Sequence, residues 1–254
     1  MPLARTSARQ GPFPEPVPSL VLFDLDDTLC AYGSARASRL RHAFTLHRPD
    51  REEPVADPLI QEMIRASIAA SPHGVDHFPD LFLRFGIEVP GAAAAAAAWY
   101  QGNPFHDLIL FPDVVSTLRA LRNLEPSGGT LSRRRLGVIT NGPAEIQREK
   151  TELLGIGTLV DFVLISGELG IEKPDPLIFA AAMRLGGVSA AETVFVGDDP
   201  RIDVLGARGS GMRSVWMNRT GATWNEDAPP PTREVSDLVS LIDLFRSSPS
   251  QISL

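Results

Sequence analysis

Short apolar runs, each closing on polar residues, punctuate this chain. They are Val21-Leu22-Phe23, Leu136-Gly137-Val138-Ile139, Phe162-Val163-Leu164-Ile165, Thr193-Val194-Phe195-Val196 and Ser214-Val215-Trp216-Met217. Runs this short, rich in β-branched and aromatic residues, predict strands buried on both faces of a parallel sheet. Between them the apolar spacing lengthens to that of helices. Asp113 to Leu124 carries Val114, Val115, Leu118 and Leu121 on one face. Pro143 to Leu154 ends at Gly155, Pro176 to Leu185 ends at Gly186-Gly187, and Val235 to Phe245 closes the pattern. Strand–helix alternation predicts an α/β fold, a Rossmann-like parallel sheet core with helices on both faces.

One stretch breaks the alternation. From Tyr32 to His106 no strand pattern occurs, and four helical patterns follow one another: Ser34 to His47, Asp57 to Ala70, His77 to Phe85 and Ala92 to Tyr100. Loops with Pro or Gly separate them. The expected organisation is therefore an α/β core over 19–31 and 107–246, a small all-helical cap domain inserted at 32–106, and a disordered extension over 1–18. The triplet Arg133-Arg134-Arg135 reads as a solvated turn before the second strand.

The first run ends in Asp24-Leu25-Asp26-Asp27-Thr28, three carboxylates within four residues. Like charges crowded at the end of a buried strand repel and raise one another's pKa. A divalent cation removes that penalty, and hard cations select carboxylate oxygens. Three further polar segments follow predicted strands: Thr140-Asn141-Gly142, the loop to Lys173-Pro174-Asp175, and Gly197-Asp198-Asp199 with Asp203. In a parallel sheet all four converge on the carboxyl edge, where open α/β sheets hold ligands.

Composition narrows the function classes. With 254 residues, 43% hydrophobic and 22% charged, the chain is long enough for a sizeable core plus a smaller domain. A net charge of -7 argues against nucleic-acid polymers, which select basic patches, yet it leaves room for a small phosphorylated substrate. No apolar stretch reaches a membrane span's length, and Met1 to Pro18 lack the apolar region of a secretory signal. The single cysteine, Cys30, allows no internal disulfide and fits a reducing cytoplasm. Of 24 basic residues only Lys150 and Lys173 are lysines, which makes each lysine informative where a compact ammonium is needed.

The order D-x-D-x-T at Asp24, Asp26 and Thr28, then Thr140-Asn141-Gly142, Lys173-Pro174 and Gly197-Asp198-Asp199 with Asp203, resembles the haloacid dehalogenase-like hydrolase superfamily. It is similar to the subgroup with a helical cap after the first motif, over about Ser19 to Met217. The resemblance implies roles. Asp24 would be the nucleophile, forming an aspartyl-phosphate. Asp26 would be general acid for the leaving oxygen and then base for water. Thr140 and the backbone amide of Asn141 would hold phosphoryl oxygens, and Lys173 would offset their charge. Asp24, Asp198 and the carbonyl of Asp26 would bind Mg²⁺, with Asp199 and Asp203 as ligands directly, through water or behind the first ligands.

Dehalogenases of this kind lack an acid at the second Asp position, since a halide leaves without a proton; here Asp26 is present. The resemblance therefore implies a Mg²⁺-dependent phosphomonoester hydrolase acting on a nucleoside monophosphate or sugar phosphate. A phosphomutase, a 2-haloacid dehalogenase and a non-catalytic binding protein on the same fold remain alternatives. Tyr32, Arg36, Arg39 and Arg84 are candidates to read the leaving group. Cys30 and the pair Trp99-Tyr100 read as packing, Asp27 as a cap of the next element, and His42, His47, His73, His77 and His106 as surface or packing residues. The oligomeric state, monomer or homodimer, is open.

Overall fold

Six parallel strands form one sheet in the order β3-β2-β1-β4-β5-β6. The computed structural model describes residues 13, 17–46, 57–70, 76–125, 131–224 and 230–246. The strands are β1 (Leu20–Phe23), β2 (Arg135–Thr140), β3 (Phe162–Ile165), β4 (Thr193–Gly197), β5 (Arg213–Met217) and β6 (Arg233–Val235). The helices are α1 (Tyr32–Thr45), α2 (Pro58–Ala69), α3 (His77–Arg84), α4 (Ala92–Gly102), α5 (Val114–Asn123), α6 (Ala144–Leu153), α7 (Ser166–Leu169), α8 (Pro176–Gly186), α9 (Gly206–Gly209) and α10 (Val239–Phe245). The chain divides into two compact units, Met1–Cys30 with Leu110–Leu254, and Ala31–Ile109.

In the sheet unit, β1 and β4 are buried at every position, as parallel strands covered on both faces must be. Phe23 stands opposite Val138 of β2 and Val196 of β4. The strand order reverses direction between β1 and β4, so their carboxyl ends flank the topological switch point. Leu20, Leu22, Ile139, Phe179 and Phe195 pack in one cluster on one side of the sheet. Helix α8 starts where Asp175 accepts from the Leu177 amide with Pro176 behind it, and ends at Gly187 with φ of 69°.

The second unit is four helices, α1 to α4, around a core of its own. Leu40 and Phe44 of α1, Met63 of α2, Phe78 and Phe82 of α3, and Tyr100 of α4 are all buried together. Asp57 caps α2 through the Leu59 amide, with Pro58 next in line. Arg39 is buried here; its Nη2 donates to the Tyr100 carbonyl at 2.7 Å and its guanidinium lies 3.9 Å from the Tyr100 ring centroid. Its place is inside the helix packing, which corrects its expected role in reading a leaving group. Arg36 donates to the Ser67 carbonyl at 3.4 Å, and Arg84 lies over the Phe85 ring. His42 stacks on Trp99 with centroids 3.9 Å apart.

Four further expectations change. A short sixth strand, β6, occupies the start of the predicted closing helix, which begins only at Val239. The arginine triplet is not a wet turn: only Arg133 is exposed, Arg135 opens β2, and Arg134 is fully buried. Arg134 donates to the carbonyls of Pro18, Leu121 and Leu124 and faces the Phe245 ring at 4.6 Å. Asp27 stands in the turn after β1 with φ of 57°, while the residue before α1 is Ala31. Within the expected extension, Phe13 and Val17 are buried, and the Phe13 amide donates to the Leu244 carbonyl at 2.8 Å. Residues 1–12 and 14–16 of that extension, and His47 and His73, lie outside the described residues. Among the described residues no helix is long and apolar enough to cross a membrane.

Candidate active site

Asp24 is the first residue beyond β1, and its amide continues the ladder to the Val196 carbonyl of β4 at 2.9 Å. Lys173 reaches it from the loop before α8, where its peptide bond to Pro174 is cis. The Lys173 Nζ lies 2.6 Å from Asp24 Oδ1 and 2.8 Å from Asp203 Oδ1, and all three side chains are buried. Asn141, at the end of β2, fixes that lysine's backbone from both sides. Its Nδ2 donates to the Lys173 carbonyl at 2.8 Å and its Oδ1 accepts from the Lys173 amide at 2.9 Å. The side chain of Asn141 is thereby a brace between two strand-end loops.

At the end of β4, Asp198 accepts from Thr28 Oγ1 at 3.2 Å, and its carbonyl accepts from Trp216 Nε1 at 2.8 Å. Asp199 behaves differently. Its Oδ1 accepts from the amides of Arg201 and Ile202, capping the π-helical turn Pro200–Leu205. That turn returns Asp203 to the site, where its Oδ2 accepts from the Asp199 amide at 3.2 Å. Gly197 makes room for it: a Cβ there would fall 2.3 Å from Asp203 Oδ2.

Asp26 belongs to a second polar group. Lys150 Nζ of α6 lies 2.8 Å from both of its carboxylate oxygens. Gln147 Nε2, one turn earlier, lies 3.2 Å from Asp26 Oδ2, 2.8 Å from Thr140 Oγ1 and 2.6 Å from the Asn141 carbonyl. Cys30 donates weakly to Asp26 Oδ1 at 3.4 Å. Burial first, then the charge of Asp26, pushes the Cys30 thiol up, so it stays protonated and inert, in line with a packing role.

One oxygen each of Asp24, Asp198 and Asp203 fall within 4.8 Å of one another. Asp26 and Asp199, counted with them from the sequence, offer no side-chain oxygen to that group among the described residues. The electrostatics match a missing positive charge. Burial raises Asp24 well above the usual carboxylate range; Lys173 opposes it, and Asp203, Asp198 and Asp26 add to it. Burial, with Asp203 and Asp27, pushes Asp198 up to about 7. Burial also raises Asp203 against the pull of Lys173. Burial alone would lower Lys173, yet the facing Asp203 and Asp24 carry it above the usual lysine range. Lys173 pairs with Asp24 and Asp203, and a hard cation beside the oxygens of Asp24 and Asp198 would complete the balance.

The strand-end motifs thus divide into a centre built on Asp24, Lys173, Asp198 and Asp203, and a neighbour built on Asp26, Lys150, Gln147 and Thr140. Lys150 and Gln147 were not among the expected site residues. The signal that could have marked Lys150 is its rarity as one of two lysines in the chain.

Comparison with known proteins places the chain among relatives. The chain is 35% identical over 205 residues to the glyceraldehyde 3-phosphate phosphatase of Methanopyrus kandleri, covering 78% of this chain and 83% of that one. It is 45% identical over 103 residues to the phosphoserine phosphatase of Thermus thermophilus, 41% of each protein. Its fold matches the crystal structure of a 2-haloacid dehalogenase from Pseudomonas syringae pv. Tomato DC3000 with a TM-score of 0.55 at 29% identity, covering 90% of this chain and 98% of that one. The family model of the haloacid dehalogenase-like hydrolases matches residues 18–211, and the chain belongs to that family.

Proposed function

We propose that this protein is a Mg²⁺-dependent phosphomonoesterase acting on a small phosphorylated metabolite of the sugar phosphate or nucleoside monophosphate class. The observation that carries the reading is the pair of carboxylates Asp24 and Asp26, each on its own lysine, Lys173 and Lys150. A halide leaves without a proton and needs only the first. An alkoxide leaving group needs an acid, and Asp26 supplies one. The names of the relatives, phosphatases of glyceraldehyde 3-phosphate and of phosphoserine, point the same way.

In this reading an Asp24 oxygen attacks phosphorus and the ester P–O bond breaks, while Asp26 gives its proton to the departing oxygen. Water then attacks the aspartyl-phosphate, Asp26 takes the water's proton, and inorganic phosphate leaves with Asp24 restored. Thr140 Oγ1 and the Asn141 amide bind the phosphoryl oxygens. Lys173 screens the repulsion between the nucleophile and the phosphoryl dianion. Asp24, Asp198 and the Asp26 carbonyl would hold Mg²⁺, which supplies further charge neutralisation at the phosphoryl oxygens. Asp203, with both oxygens already bound to Lys173 and the Asp199 amide, holds the set in place from behind. Asp199 serves the cap of the turn that carries Asp203.

The test is phosphate release from a panel of sugar phosphates, phosphoserine and nucleoside monophosphates, with Mg²⁺ and with EDTA. Release confined to the Mg²⁺ samples is expected, and Asp24→Asn should fall below about a thousandth of the wild-type rate. Metal-independent release, or an active Asp24→Asn protein, would overturn the assignment.

A further inference from the structure

Asp26 is half-buried, and neither of its oxygens is left to solvent alone: Lys150 spans both, and Gln147 and Cys30 take one each. The two α6 residues differ from ordinary helix-surface side chains. Gln147 and Lys150 are each 3% exposed, although most of α6 is polar and faces solvent. They stand three residues apart, so they share one face of the helix. Helix α6 begins just after Thr140-Asn141-Gly142, so the element that carries them grows directly out of the phosphoryl-binding segment.

Gln147 ties the two together. Its single amide nitrogen is within hydrogen-bond distance of Asp26, Thr140 Oγ1 and the Asn141 carbonyl, while its buried Oε1 has no hydrogen-bond partner among the described residues. A buried amide that leaves its acceptor unsatisfied in order to face three acceptors is held for its donor. Gly142 accommodates it: φ there is +142°, and a Cβ would fall 3.0 Å from Gln147 Cγ.

We infer that Lys150 and Gln147 are positioning residues for proton transfer by Asp26. They hold its carboxylate in one orientation against the phosphoryl-binding segment and so aim the acid at the leaving oxygen. The inference rests on the phosphomonoesterase reading, in which Asp26 delivers that proton. Lysine suits the task because its ammonium fits between the two oxygens in a tight buried space, whereas a planar guanidinium is larger and forked. The two lysines of the chain thereby serve the two acids of one motif, Lys173 the nucleophile and Lys150 the proton donor.

The readout is the dependence of kcat/KM on leaving group, across aryl phosphates from 2,4-dinitrophenyl to phenyl phosphate, in the full-length protein with Mg²⁺. This ratio reports phosphoryl transfer to the enzyme and not the later hydrolysis. Lys150→Met should lower it about 10–100-fold for phenyl phosphate, whose oxygen needs a proton, and less than about threefold for the dinitrophenyl ester, which leaves as the anion. In an Asp26→Asn background Lys150→Met should add no further loss, because the residue acts through Asp26. An equal loss on every ester, no loss on any, or an additive loss in the Asp26→Asn background would overturn the inference. Should Lys150→Met fail to fold, Gln147→Met carries the same comparison. Wild-type protein that turns over no ester fails the phosphatase reading itself, whereas an active wild type with a uniformly affected variant fails only the role of Lys150.

Discussion

Two buried carboxylates on one ammonium, with half-buried Asp198 beside them, set the residue-scale behaviour of the site. Asp198 is pushed up to about 7, with burial as the first cause. In the unfolded chain an aspartate titrates near about 3.9. Between those values the folded protein keeps a proton that the unfolded chain has released. Metal-free protein therefore loses this part of its stability as pH rises from about 4 to about 7. A bound cation replaces the proton and removes the penalty. The gain in melting temperature on exchanging EDTA for Mg²⁺ should thus be larger at pH 8 than at pH 5.5. Asp198→Asn should raise the metal-free melting temperature at pH 8 and shrink the Mg²⁺ gain. Thermal scans at both pH values check this, and a Mg²⁺ gain independent of pH would contradict it.

Among the elements, the strand ends matter more than the strands. Each run of β1, β2 and β4 delivers its first polar residue, Asp24, Thr140 or Asp198, at the same sheet edge because neighbouring registers are nearly level. The opposite edge relies on Arg134, which precedes β2. Its guanidinium gathers the carbonyls at the end of α5 and the carbonyl of Pro18 just before β1. Burial lowers its pKa to about 10, so it is still charged at neutral pH. The free carbonyls at a helix C-terminus favour a cation there. Arg134→Ala would take the guanidinium from the carbonyls of Pro18 and Leu124, leave that of Leu121 only the Leu124 amide, and open a cavity, so a loss of about 2–4 kcal/mol is expected, read as a lower urea midpoint with the slope unchanged. A change within about 0.5 kcal/mol would show that water replaces the guanidinium at no cost.

For the whole molecule, the two units keep separate apolar cores. The helical unit closes on Phe44, Phe78, Phe82 and Tyr100, and the sheet unit on its strands and α8. Separate cores allow separate opening. Phe44→Ala should remove about 3–5 kcal/mol from the helical unit. Hydrogen exchange should then accelerate in 32–102 while β1, β2 and β4 keep their protection. Equal acceleration in both units would mean that the chain unfolds as one cooperative body.

The sequence by itself determined the strand–helix alternation, the helical insert and the family. Those depend on local period and on short motifs that stand next to strand ends, and local period survives without knowledge of the fold. The residues Asp24, Asp198, Asp203 and Lys173 were readable for the same reason, since a parallel sheet brings strand ends together whatever the loops do. Only the tertiary structure decided which charges are buried and with whom. Arg134, read as part of a wet turn, fills the space between α5, α10 and the segment before β1. Arg39 turns into its own helix bundle, and β6 is too short to show a period. Asp199 and Asp203 are four residues apart in one acidic stretch, yet the π-helical turn sends one to a cap and the other to Lys173. Lys150 and Gln147 have no motif of their own; they meet Asp26 because α6 presents that face to the end of β1. Pairing across 124 residues of chain is a property of packing, and no local pattern encodes it.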